Sequence, residues 1–334
     1  MPTKLKDGYI SRSKSDRAFS VPETIRFASG SYQYELQLEA FELPDSYIGW
    51  ECSGLACDGE DNIFAAFRGP KSEIAVFNSR GAHIKSIQVQ ATIKHLHSIS
   101  LTEDESILLT DSGNHVVYRL SSAGEVISIL GTAGKPSDTG IDPVAVKIDA
   151  PCAYLSIQKA GAPFHTPTKS VASKDGAIYV SDGHRNAAVH HFSPAGKLIA
   201  SWGGPGEGPG EFNTPHSIAI DEKSQMVLIA DRDNDRVQRF DMDGQFIDEI
   251  TGLLFPVDLC VSGDILYILE RDGRVSLYSL DNQLIAQLGY CGSPFMGKTL
   301  CVNGRGDIYI SMEKGPYSVV KLIRCDNGSG GILR

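Results

Sequence analysis

Two stretches of about 40 residues repeat one another, and this repeat constrains the fold more than any single motif. The first runs from Phe164 to Gly203 and the second from Phe212 to Ile250. In each, a Thr-Pro precedes a strand-like run, an acidic or Asp-Gly turn follows, and a second run ends in Ser-Asp or Ala-Asp. An offset of about 48 residues between copies is typical of the blades of a β-propeller.

The same pattern recurs more weakly elsewhere, which brings the number of copies to six. The weaker copies start near Gly54, His97, Val257 and Lys298. Their short apolar runs are separated by turn residues, the pattern of antiparallel strands joined by tight turns. No segment carries the apolar stripe of a helix. We therefore predict an all-β fold, a six-bladed β-propeller with four-stranded antiparallel blades.

The ring must also close, and the two ends of the chain indicate how. The last copy has three clear strands, while an isolated strand-like run precedes the first copy at residues 32–41. We predict that this N-terminal run supplies the missing outer strand of the sixth blade. Residues 1–31 then form an extension without a blade role, residues 32–325 one propeller domain, and residues 326–334 a polar tail.

An insertion separates the second and third copies at residues 131–163. Loops this long in compact domains usually have a function. Two alternatives remain open for this one: a lid over the channel mouth, or a loop that packs along the blades.

Charge and hydropathy limit the partners and the cellular location that can be expected for the protein. The chain has 31 Lys and Arg against 41 Asp and Glu, a net charge of −10. This charge opposes binding to nucleic acid or to an anionic membrane surface. No run approaches the roughly 18 apolar residues that cross a bilayer, and the N-terminus lacks the apolar segment of a signal peptide. We predict a cytoplasmic protein without nucleic-acid or membrane partners.

The innermost strand of every blade begins at one mouth of the central channel, so equivalent residues of the six blades face one another there. Reading that position in each copy gives Ser53, His97, Thr168, His216, Val257 and Lys298. Three of these are titratable and fall on alternate blades: His97, His216 and Lys298. We predict that they converge on one ion or one substrate atom.

A second ring follows from the residues at the exit of each second strand. Its members are Arg68, Asp111, His184, Arg232, Arg271 and Glu313. Arg68 and Arg232 are suited to bind a substrate carboxylate, because a planar guanidinium matches its two oxygens. His184 would lie nearby as an acid or base. A salt bridge to a neighbouring aspartate is the alternative for Arg232, whereas Arg68 has no acidic neighbour nearer than Glu73 along the chain.

The segments TPHSIAIDEKSQMVLIADRDNDRVQRF and FHTPTKSVASKDGAIYVSDGHRN resemble the NHL-repeat propeller of the peptidyl-α-hydroxyglycine α-amidating lyase family. Its members split a carbinolamide into an amide and glyoxylate. The likeness is strongest over residues 164–250 and can be followed from about Gly49 to Arg324. It implies a six-bladed NHL propeller and an enzyme with a zinc ion on three channel-facing histidines, a substrate carboxylate held by arginines, and a tyrosine base.

Matched motif by motif, the resemblance implies roles for four residues. Arg68 in FRG and Arg232 in ADRDN would bind the carboxylate. His97 in LHSISL and His216 in PHSIAI would be metal ligands.

The chain departs from the family at three positions. Lys298 lies where the third histidine is expected, and an ammonium has no lone pair for a metal. Thr299 replaces an acidic residue that resembles the family's calcium-binding position, and His184 replaces the tyrosine base. We therefore predict a relative with altered chemistry, whose catalytic residues are His184, Lys298, Arg68 and Arg232.

The predicted function is that of a lyase-like enzyme acting on a small carboxylated carbinolamide, hemiaminal or hydroxy-acid derivative. The cofactor has two alternatives: a divalent metal, zinc first, on His97 and His216, or no metal, with Lys298 as base or amine nucleophile. His184 transfers a proton in either case. The alternative function is a non-enzymatic NHL propeller that binds a protein or peptide. A calcium-dependent sugar or lactone hydrolase is less favoured, since the axial ring has no Asp or Glu.

Overall fold

The structure is a computed structural model, and it describes residues 25–141, 156–271, 273–289, 296–313 and 318–325. Over these residues the chain forms six antiparallel sheets and contains no α-helix. Short 3-10 turns lie at Asp45–Tyr47 and Arg232–Asn234. The predicted all-β, six-bladed fold is confirmed.

Each blade is built from consecutive strands. The first contains β3 (Glu51–Cys57), β4 (Ile63–Arg68), β5 (Glu73–Phe77) and β6 (His83–Gln88). The second contains β7 (Leu96–Leu101), β8 (Ile107–Asp111), β9 (Val116–Leu120) and β10 (Val126–Gly131). The third contains β11 (Lys169–Ala172), β12 (Ile178–Asp182), β13 (Ala188–Phe192) and β14 (Leu198–Gly203).

The remaining blades continue the pattern. The fourth contains β15 (Pro215–Asp221), β16 (Met226–Asp231), β17 (Arg236–Asp241) and β18 (Phe246–Ile250). The fifth contains β19 (Pro256–Ser262), β20 (Ile265–Glu270), β21 (Arg274–Ser279) and β22 (Leu284–Gly289). The sixth combines β23 (Gly297–Val302), β24 (Ile308–Met312) and β25 (Val319–Arg324) with β1 (Ile25–Ser29) and β2 (Tyr32–Gln37).

The innermost strands β3, β7, β11, β15, β19 and β23 contact one another in this order, and β23 contacts β3, so the ring is closed. Buried apolar side chains fill the spaces between blades. Between the first and sixth blades, for example, the rings of Phe41 and Phe77 stack at 4.1 Å, and Tyr309 packs beside them at 5.9 Å from Phe41. Such contacts hold the channel wall in place.

Ring closure follows the predicted route, with β2 pairing antiparallel to β25 so that Tyr34 lies opposite Arg324. The prediction that residues 1–31 lack a blade role is wrong at Ile25–Ser29, which form a fifth, outermost strand on β2. Gly30 makes the tight turn possible with φ of 59°, and Phe27 is buried in the core. Residues 1–24 and the predicted tail at 326–334 lie outside the described residues.

Acidic residues at the ends of second strands fix the loops of the channel mouth. Asp111 accepts hydrogen bonds from the backbone N–H groups of Lys94 and His95. Asp231 does the same for Asn213, and Glu270 for Leu254. Each bond ties the loop that enters an innermost strand to the exit of the neighbouring strand. The repeated acid is therefore a structural element that holds both rings of mouth residues in place.

No helix among the described ranges is long and apolar enough to cross a membrane.

Candidate active site and metal centre

Three histidines meet at the channel mouth. The ring centroids of His97 and His216 lie 5.1 Å apart, and His184 lies 4.9 Å from His97 and 5.3 Å from His216. Their ligand-type nitrogen atoms all fall within 4.8 Å of one another. Within the described part of the chain, no other group of three or more His, Cys, Asp or Glu side chains brings its ligand atoms this close together.

A backbone irregularity directs two of these histidines into the channel. The pairing of β7 with β8 shifts register at His97, and the pairing of β15 with β16 shifts at His216. The same shift occurs at Ser53, Val257 and Lys298, the equivalent positions of other blades. A bulge places one extra residue on a strand and re-aims its side chain. The repeat therefore gives each of these blades a residue aimed differently from its strand neighbours.

Backbone carbonyls of the neighbouring blades orient the two rings. His97 Nδ1 lies 2.6 Å from the carbonyl oxygen of Thr168, and His216 Nδ1 lies 2.7 Å from that of Val257. A carbonyl oxygen only accepts, so each Nδ1 carries the proton and donates. In the neutral ring, Nε2 then carries a lone pair. Both histidines are held in the form that binds a metal.

His184 reaches the cluster from the loop that follows β12. At Gly183 an added Cβ would lie 2.3 Å from the carbonyl oxygen of Pro215. The absence of a side chain at this position therefore lets the loop pass closer to the fourth blade than any other amino acid would. This contact brings His184 beside His216, and its Nε2 lies 2.9 Å from Nε2 of His97.

Asn186 holds the other end of this loop against the insertion. Its side-chain oxygen accepts from the N–H of Gly161 at 3.0 Å, and its amide donates to the carbonyl of the same residue at 2.7 Å. Ile141 and Ile157, on the two described ends of the insertion, join the core cluster of the third and fourth blades. The described ends thus pack along the blades, and residues 142–155 lie outside the described part.

All three histidines are neutral near pH 7. Burial is the largest cause of a pKa well below the usual value in each. Positive charge adds to the shift: Lys298 lowers the pKa of all three, and Arg232 lowers those of His184 and His216. The neutral imidazole is the form in which histidine binds a divalent metal such as zinc.

The structure adds one residue to the predicted cluster and gives another an ion-pair partner. His184, expected nearby as an acid or base, lies within the histidine cluster. Lys298 lies close enough for its charge to lower the pKa of all three histidines, and its ammonium pairs with Glu51 at 3.2 Å. Burial, followed by the charge of Arg68, lowers the pKa of Lys298 to about 8. A three-histidine set thus forms without a histidine on the sixth blade.

Arg68 has an acidic partner that the local sequence does not reveal. Glu51 lies opposite Arg68 across the β3–β4 ladder, and Nη1 of the arginine contacts both carboxylate oxygens at 3.0 and 3.1 Å. Its Nε donates to the carbonyl of Leu96 at 2.5 Å. This ion pair is not local in the sequence, because the partner is 17 residues away along the chain but adjacent in the sheet.

Arg232 lies near His184 and His216, since its charge lowers the pKa of both. It donates to Asp233 at 3.1 Å, which is the local salt bridge that the sequence left as an alternative. Its guanidinium also stacks over the ring of Phe255 at 4.8 Å, and Arg271 contacts the same ring at 5.5 Å while pairing with Glu313. The Nε of Arg232 is buried without a hydrogen-bond partner among the described residues. One donor of this arginine is thus unused.

The channel wall also contains a polar layer, of which the sequence-based predictions named only Thr299. Lys169 donates to Asp258 at 2.6 Å and to the carbonyl of Leu259 at 2.9 Å. Ser217 and Thr299 donate to the two carboxylate oxygens of Asp258, each at 2.6 Å. Residues 169, 217, 258 and 299 each follow an axial position by one, so reading the repeat one register further along would have found this layer. It links four blades by hydrogen bonds.

Residues 166–274 match a family described as a 6-bladed beta-propeller. Fold and site together define the class: an NHL-type propeller with a histidine cluster at one channel mouth. The chain is 29% identical to mouse peptidyl-glycine alpha-amidating monooxygenase over 64% of its length and 23% of that protein. It is also 29% identical to a probable peptidyl-alpha-hydroxyglycine alpha-amidating lyase of Caenorhabditis elegans, over 64% of this chain and 61% of that one.

These relatives confirm the resemblance to amidating lyases, at low identity. The chain spans less than a quarter of the length of the mouse monooxygenase. Among solved structures, virginiamycin B lyase from Staphylococcus aureus superposes with a TM-score of 0.56 at 13% identity, over 87% of this chain and 99% of that one. At this identity the likeness concerns the fold alone.

Proposed function

We propose that this protein is a metal-dependent lyase that cleaves a small carboxylated carbinolamide, the chemistry for which its curated relatives are named. The observation that carries the proposal is the convergence of three neutral imidazoles, His97, His184 and His216, near two arginines suited to a carboxylate. A non-enzymatic propeller has no need for such a set. The cytoplasmic location remains a prediction.

The reaction would break the C–N bond of an N-acyl-α-hydroxyglycine. The hydroxyl oxygen becomes the aldehyde oxygen of glyoxylate, and the hydroxyl proton ends on the amide nitrogen, so the products are an amide and glyoxylate. Neither oxidant nor water is consumed. The protein has to hold the carboxylate, polarise the hydroxyl oxygen and carry one proton.

The residues of the mouth divide these tasks. His97, His184 and His216 would hold the divalent ion, which when bound polarises a substrate oxygen as a Lewis acid. Arg68 and Arg232 flank the cluster and would orient the carboxylate through their guanidinium donors. Burial of the wall excludes water from their hydrogen bonds, which strengthens them.

We assign the proton transfer to Lys298. His184 belongs to the cluster and has no proton to exchange there as a ligand, whereas the pKa of Lys298 is about 8, near the pH of the reaction. Its ammonium would donate a proton to the departing amide nitrogen and recover the hydroxyl proton, and such an acid is most effective when its pKa lies near the working pH. The third-ligand and proton-transfer roles are thus exchanged between the third and sixth blades, relative to what the resemblance implies.

The test is a product assay with N-benzoyl-α-hydroxyglycine. Purified protein loaded with zinc should release glyoxylate and benzamide in equal amounts, and His97→Ala should abolish this release. His83→Ala, which changes an exposed histidine on β6, is the matched control and should keep the activity. Absence of glyoxylate above the His97→Ala background would overturn the proposal and favour a protein- or peptide-binding propeller.

A further inference from the structure

The carboxylate of Glu51 lies between two cations at the channel mouth. It contacts Nη1 of Arg68 at 3.0 and 3.1 Å and Nζ of Lys298 at 3.2 Å. Burial opposes ionisation of Glu51, but the charges of Lys298 and Arg68 hold its pKa below the usual value. Glu51 is therefore an anion near pH 7, placed where a ligand carboxylate would meet both cations.

Two cations meet at the carboxylate of Glu51. Arg68 and Lys298 both contact it, whereas Arg232 contacts Asp233 and Arg271 contacts Glu313. These cations lie beside three neutral histidines. Clustered positive charge in a cleft with low-dielectric walls attracts anions.

The two cations are more buried than the anion between them. The side chains of Arg68 and Lys298 are 21% and 11% exposed, whereas that of Glu51 is 41% exposed. Arg68 is also anchored through Nε to the carbonyl of Leu96, a bond that does not involve Glu51. If Glu51 turned toward solvent, both cations would remain at the mouth.

We propose that Glu51 occupies an anion-binding position built by Arg68 and Lys298, and that a small α-hydroxy or α-oxo carboxylate binds there by displacing it. Glu51 thus competes with the ligand and sets the affinity of the site. The ligand class rests on the proposed function, but displacement of Glu51 by a carboxylate does not require turnover. An internal competitor of this kind favours ligands whose anionic group outcompetes a tethered carboxylate.

The experiment is a calorimetric titration of the purified protein with glycolate. In Glu51→Gln the competing charge is gone, so the Kd for glycolate should fall about tenfold or more, as expected for one charge-assisted hydrogen bond. Glu51→Asp keeps the charge but is too short to contact both cations, so its Kd should lie between the two. This second variant decides the result if Glu51→Gln does not fold.

Glu313→Gln is the control for general electrostatics, because it removes a negative charge from the same mouth without freeing Arg68. It should change the Kd much less than Glu51→Gln. An unchanged or higher Kd for glycolate in Glu51→Gln would overturn the displacement. An equal decrease of the Kd in Glu313→Gln would overturn it as well. Tighter glycolate binding without glyoxylate release would refute only the lyase; release without tighter binding would refute only the displacement.

Discussion

The Nε2 atoms of His97 and His184 lie 2.9 Å apart, although the residues belong to neighbouring blades. His97 donates through Nδ1 to Thr168, so its Nε2 faces His184 with a lone pair. Burial and nearby cations keep both rings neutral. Such a contact is stabilised by one shared proton or by a cation bound to both nitrogens.

Truncation of either arginine should impair catalysis more than folding. A hydrogen bond to a charged group contributes about 1.5–3 kcal/mol, so Arg68→Ala and Arg232→Ala should each lower kcat/KM roughly 10- to 100-fold. The measurement is glyoxylate release at several substrate concentrations. Arg26→Ala, which breaks an exposed ion pair on the sixth blade, should leave the value unchanged. Equal losses in all three variants would contradict the assignment.

Metal-free protein should lose stability as the pH falls. The pKa values of His97, His184 and His216 lie well below 6.5 in the folded state, so below about pH 6.5 the unfolded chain binds protons that the folded chain does not. The free energy of unfolding should then decrease by up to about 1.4 kcal/mol per pH unit for each histidine.

Chemical denaturation in the presence of a chelator, from pH 7.5 to pH 5, measures this slope. The comparison is a variant with all three histidines changed to glutamine. Its stability should depend less on pH than that of the wild type. Parallel pH curves would contradict the assignment of buried, neutral histidines.

The fold and two of the three cluster histidines could be predicted because both follow from the repeat. A fixed register places His97 and His216 at equivalent points of two blades. The position of His184 depends instead on how closely the chain at Gly183 passes Pro215, a contact between blades that no repeat encodes. The Glu51–Arg68 pair was missed for a related reason, since cross-strand partners are distant along the chain.

The buried pair of Lys169 and Asp258 should contribute strongly to stability. Lys169→Met leaves a buried carboxylate without its cation, and breaking such a pair costs about 3–5 kcal/mol. Chemical denaturation should show this loss, and Lys169→Met combined with Asp258→Asn should recover part of it. Lys223→Met breaks an exposed pair with Asp264 and should cost less than about 1 kcal/mol. Similar losses for both lysine variants would contradict the account.

Ring closure should depend on β2 and hardly on β1. Leu36 pairs with Leu322 of β25, so proline at Leu36 removes a hydrogen-bonding group within the sheet. Ile25→Pro alters the outer edge, where proline is tolerated. Thermal unfolding should show a much lower Tm for Leu36→Pro than for Ile25→Pro. The reverse order would contradict closure through β2.

Metal content measured by inductively coupled plasma mass spectrometry tests the central claim most directly. After loading with zinc and dialysis, the wild-type protein should retain about one ion per chain, as a single three-histidine site predicts. His97→Ala, His184→Ala and His216→Ala should each lose it, whereas His83→Ala should keep it. A wild-type protein without retained zinc, or His184→Ala with undiminished zinc, would contradict the three-histidine centre.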